Sequence, residues 1–132
     1  MHADNEAAIQ TLIENWAAGV RRKDLGAILR HHTSDMVMFD VPPPFQHRGI
    51  DAYAASWDQF FKWSHDPLVF EIQTLDIVAG EDVAVAVATM KCSGTEKDDK
   101  DIDLDFRLTV GLRKIDNQWT IFHEHHSIPA EA

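Results

Sequence analysis

Apolar residues in the first twenty positions recur every three or four: Ile9, Leu12, Ile13, Trp16, Ala17 and Val20. That spacing puts them on one face of a helix. Asp4 or Asn5 can cap it, with Glu6 in its first turn. Trp16 needs a partner for its indole N–H if it is buried. A second, shorter helix is predicted over LGAILRHH, capped by Asp24. His32 ends it, where an imidazolium favours the helix dipole or the ring reaches a pocket. MVMFDV alternates like a short strand, with Met36, Met38 and Asp40 on one side. Asp40 is then either a turn residue or, among apolar neighbours, a base. Pro42, Pro43 and Pro44 end the strand in a stiff loop that carries Phe45. Gly49 leads into a third helix, IDAYAASWDQFFKW, with Tyr53, Trp57, Phe60 and Phe61 in an aromatic stripe. The stripe reads as core, and its tryptophans could also wall an apolar cavity.

From Pro67 onward the period changes from helical to two. LVFEIQTLDIVA is strand-like, GED is a turn, and VAVAVATMKC alternates. Val83, Val85 and Val87 face one way. Ala84, Ala86 and Ala88 face the other, as suits a surface that something approaches closely. SGTEKDDKD is a polar loop, expected to be disordered. Ile102, Leu104, Phe106, Leu108, Val110 and Leu112 then make one apolar face. Asp116 and Asn117 centre a tight hairpin turn before QWTIFHEHHS. Helices followed by an antiparallel meander define an α+β class. No repeat or linker divides the chain, so 1–132 is expected to form a single domain.

The last hairpin carries a conflict. A two-residue turn pairs Leu112 with Ile121, Val110 with His123 and Arg107 with His126. Trp119 and Ile121 then extend the apolar face, while Phe122, Glu124 and His126 extend the face of Arg107, Thr109 and Arg113. Either the apolar face lies under the helices, or the polar face does and the apolar one meets a second copy. A bulge could also swap the faces partway along.

Composition narrows the function. The net charge of −10 at pH 7 opposes a nucleic-acid or anionic-membrane partner. The single cysteine, Cys92, excludes an intramolecular disulfide and reads as core. No apolar run approaches the roughly 20 residues of a membrane span. The N-terminus lacks a signal-peptide pattern, so a cytoplasmic protein is expected. HEHH offers four metal donors, but alternation splits them between two faces and a third ligand is missing from each. No metal or other cofactor is expected.

The motifs KDLGAILRHHTSDMVMFD, HRGIDAY and RKIDNQWTIFHEHHS, in this order, resemble the nuclear-transport-factor-2-like superfamily. Its members include ketosteroid isomerases, SnoaL-like cyclases, limonene epoxide hydrolases and the kinase association domain. The resemblance implies a cone of three N-terminal helices on a curved antiparallel sheet, with a pocket inside. It implies that Asp40 stands at the isomerases' catalytic base, and that Trp16 and Thr109 replace their oxyanion donors. His32 and Trp57 stand at two supporting tyrosine positions. It also implies that Thr109, Phe122, Glu124 and His126 line the pocket, and that Leu108, Val110, Leu112 and Ile121 form a homodimer contact.

The expected function is therefore a small-molecule binder with acid–base chemistry on an apolar carbonyl compound. Asp40 would take the proton, and His126, tuned by Glu124, would donate one. Trp16, His32, Phe45, Trp57, Phe60, Arg107, Thr109 and Phe122 would contact a small apolar or aromatic ligand. The alternative is a non-catalytic binding or assembly module.

Overall fold

The computed structural model describes residues 2–96 and 98–130; the side chains of Asp66 and Ile102 lie outside what it describes, as do Met1, Lys97, Glu131 and Ala132. The fold is mixed α+β. Helix α1 (His2–Arg21) is followed by α2 (Leu25–Leu29), strand β1 (His32–Phe39), the short β2 (His47–Arg48) and α3 (Ile50–Trp63). The remaining strands are β3 (Ser64–Ala79), β4 (Val83–Glu96), β5 (Asp101–Asp103), β6 (Phe106–Ile115) and β7 (Gln118–Ser127). They form one sheet in the order β2-β1-β7-β6-β4-β3, with β5 beside β4. The sheet is not wholly antiparallel, because β1 runs parallel to β7.

Local chemistry accounts for most element ends. Asp24 caps α2 by accepting from the Ala27 N–H at 3.1 Å. Gly49, at φ 90°, makes the turn into α3 that a side chain would strain. Asp116 and Asn117 both take positive φ, as the predicted hairpin turn requires. Two expected helix ends differ. Asn5 is not a cap. It lies inside α1 and its side chain bonds Gly80 in the turn after β3 and Lys114 and Trp119 of the sheet. His32 does not end α2, because Arg30 closes that helix and His32 begins β1.

The apolar face of α1 is buried as its spacing predicts. Ala84, Ala86 and Ala88 point into the same core, and Val83, Val85 and Val87 point out. Each large side chain buried here contributes about 1.5–3 kcal/mol. The same core takes Leu108, Val110, Leu112 and Ile121, all buried within one chain. They are therefore not the dimer contact that the resemblance suggested.

The reason is a β-bulge in β7. Leu112 pairs with Ile121 as expected, but Gly111 pairs with His123, so Phe122 is an extra residue. Every later pair shifts by one: Val110 faces Glu124, Leu108 faces His126 and Arg107 faces Ser127. Directly paired residues share a face, so Glu124 and His126 join the buried apolar side. Phe122 lies outside, its ring over Gly111 so closely that a Cβ there would sit 2.9 Å from it.

Candidate functional site

Glu124 is the polar centre of the interior, with no exposed surface. Four elements bring side chains to it. His32 Nε2, from the start of β1, is 2.6 Å from Oε2. The Tyr53 hydroxyl, from α3, donates to the same oxygen at 2.6 Å. Trp16, from α1, donates its indole N–H to the Tyr53 oxygen at 2.9 Å. His126, two residues along β7, places Nε2 2.9 Å from Oε1. A buried carboxylate needs this many donors to offset its lost hydration.

Burial by itself raises the Glu124 pKa. The hydrogen bonds from His126 and His32, with their charge, outweigh it and bring the value down to about 2. Glu124 is thus an anion at neutral pH. Tyr53 moves the other way. Burial, then the Glu124 charge and bond, push its phenol well above the ordinary value. It stays a donor. The Trp57 indole N–H is buried without an acceptor in bonding geometry. It still lies near enough to favour the Tyr53 phenolate slightly.

His126 links this cluster to a cavity of about 430 Å³. Its ring stacks on Phe106, with centroids 5.1 Å apart and planes 15° apart. Trp16 and Trp57 meet it edge-on and tilted, so the ring is held on three sides. With Nε2 turned to Glu124, Nδ1 is 3.7 Å from Asp40 Oδ1. Asp40 follows β1 and also accepts from the Val41 N–H at 2.8 Å. Asp40 and His126 both line the cavity, with His47, Ser56 and Gln59 as further polar groups. Its walls are Trp57, Phe60, Trp63, Phe70, Leu104 and Phe106, closed by Val41, Pro42 and Pro43. Cys92 is also in the wall. Burial and then Asp105 and Asp103 push its thiol up to about 11, which disfavours the reactive thiolate at neutral pH. Among the described residues no cluster of three or more donors could hold a metal ion.

The structure brings together Asp40, His126, Trp57 and Phe60 at the cavity, with Glu124 directly behind. Trp16 and His32 belong to the bonded cluster and not to the cavity wall. Three ligand contacts expected from the sequence are on the wrong face. Arg107 is exposed and bonds Ser127 at 3.1 Å. Thr109 alternates out of the core with it, between buried Leu108 and Val110. Phe122 sits outside under the Arg113 guanidinium, 4.8 Å from the ring centroid. The bulge is the common cause. Phe45 is 96% exposed at the tip of the proline loop, outside the cavity wall. Tyr53 is the residue that sequence reasoning missed. Its place in the aromatic stripe showed burial, and a buried phenol needs a partner, which is the signal that could have found it.

The curled sheet thus lies over an apolar cavity with an acid–histidine cluster at its inner end. The SnoaL-like domain family matches residues 9–131, and the chain belongs to that branch of the nuclear-transport-factor-2-like superfamily. A nuclear-transport-factor-2-like protein of unknown function from Pseudomonas putida KT2440 is 34% identical, with a TM-score of 0.90 over 99% of this chain and 91% of that one. Two others share the fold. A ketosteroid isomerase-like protein from Erwinia carotovora atroseptica SCRI1043 is 19% identical, TM-score 0.77, over 93% and 96% of the two chains. A hexachlorocyclohexane dehydrochlorinase from Novosphingobium barchaimii LL02 is 14% identical, TM-score 0.83, over 97% and 88%. No curated protein matches the chain. Among the described residues no helix is long and apolar enough to cross a membrane.

Proposed function

We propose that residues 1–132 form one ligand-binding domain that carries out proton transfer on a small, uncharged, apolar or aromatic carbonyl compound. Asp40 takes a proton from the carbon beside the carbonyl. His126, when protonated on Nδ1, gives that proton to the carbonyl oxygen, forming the enol. Return of the two protons, with Asp40 delivering to a different carbon, completes an isomerisation. Glu124 holds His126 so that Nδ1 is the atom presented. The observation that carries this reading is the opening of Asp40 and His126, 3.7 Å apart, onto a mainly apolar cavity. Arginine and lysine are missing from that cavity's described lining, which disfavours anionic ligands.

The test is turnover of a panel of β,γ-unsaturated ketones, with solvent deuterium uptake as a second readout. Asp40→Asn is expected to lower the rate about 10²–10⁴-fold. Inertness of the wild type across the panel, with binding retained, would instead favour the non-catalytic module. One observation supports that second reading: the Trp16 N–H is committed to Tyr53 and Thr109 lies outside, so neither offers an oxyanion donor.

We also infer that the homodimer forms through the other sheet face, where Val83, Val85 and Val87 are exposed. Sedimentation should show a dimer that Val85→Lys weakens. A monomeric wild type at assay concentrations would end this inference.

A further inference from the structure

The two histidines on Glu124 are bonded differently. An ionised carboxylate only accepts, so each Nε2 that bonds it must carry a proton. For His126 that settles one nitrogen and leaves Nδ1 to face Asp40 at the cavity. For His32 the second nitrogen is also occupied. Its Nδ1 is 3.3 Å from the Arg30 carbonyl oxygen, which again only accepts. We propose that His32 is a positioning residue that carries a proton on both ring nitrogens, and that with Tyr53 it fixes Glu124 so that His126 exchanges protons through Nδ1 alone.

The surroundings fit this division. The His32 side chain is fully buried, 2.6 Å from the carboxylate. The Tyr53 ring from α3 lies 4.7 Å from it, centroid to centroid. Glu124 from β7 is the anion facing it, and Arg30 and His31 are the charged or titratable neighbours on its own segment. Asp40 faces His126 and not His32. One buried anion thus has one fixed cation, and a proton can come and go on His126 without leaving Glu124 unpaired. Tyr53 adds a second bond to Oε2, so the carboxylate cannot rotate to offer that oxygen to His126. The use of this arrangement rests on the acid–base reading above; the placing of the protons does not.

Nitrogen NMR of protein labelled with ¹⁵N-histidine tests it without any ligand. In the folded wild type near neutral pH, both His32 nitrogens are expected to show protonated resonances. His126 is expected to keep a protonated Nε2 through its whole titration, with only Nδ1 changing. In His32→Gln, which keeps a neutral donor but removes the charge, His126 becomes the sole cation beside Glu124, so its Nδ1 should keep its proton to a higher pH than in the wild type. An unprotonated nitrogen on His32 in the folded wild type would overturn the proposal. So would a His126 Nδ1 that loses its proton at the same pH in His32→Gln as in the wild type. If that variant does not fold, the wild-type His32 resonances decide alone. An inert carbonyl panel would remove the acid–base reading and leave these spectra as they are.

Discussion

The two faces of β7 carry nearly the same residues and do opposite things. Inward, Glu124 and His126 are buried and bonded to side chains from α3 and β1 and to each other. Outward, His123 and His125 pack against Phe39, with ring centroids 4.9 and 5.3 Å away. The His123 ring bonds the Val37 backbone at 2.7 Å, and His125 is exposed. Residue type does not separate the pairs. Position relative to Phe122 does, because one extra residue decides which pair the helices cover. A histidine-rich strand therefore says little until its register is known.

The contrast can be broken most strongly at its buried member. Glu124→Ala leaves His32, His126 and Tyr53 without their acceptor and should cost about 3–5 kcal/mol in urea unfolding. The same measurement against pH sharpens the point. The Glu124 pKa is lowered on folding, from 4.5 to about 2. Its stabilisation is therefore present above the unfolded value and is lost as pH falls through the folded one. That window should hold on the order of 3 kcal/mol, which Glu124→Gln removes. His125→Ala, on the exposed side, should stay within about 0.5 kcal/mol.

Much of the fold was legible because periodicity reports it directly. The α1 stripe, the alanine row of β4 and the Asp116 and Asn117 turn all behave as local physics requires. The site was legible only in part. Asp40 follows a strand whose methionines point inward, and so it reaches the cavity. Trp57 and Phe60 follow from a helical stripe. Thr109 and Phe122 were placed in the pocket by the resemblance, and Arg107 by sharing their face under strict alternation, which cannot register an inserted residue. The apolar run from Phe106 to Leu112 held the correction. Burying that run under plain alternation would bring His123 and His125 in beside it, and the bulge at Phe122 brings in Glu124 and His126 instead. Tyr53 was hidden for another reason: its hydroxyl matters through partners 37 and 71 residues away, which no local pattern displays.

Deleting Phe122 tests the central point most directly. Removing the extra residue restores plain alternation, which turns either Glu124 and His126 outward or Trp119 and Ile121 out of the core. The expected result is loss of cooperative urea unfolding and of the near-ultraviolet signal of the packed tryptophans. A shortened chain that unfolds at the wild-type midpoint, with that signal intact, would contradict the account.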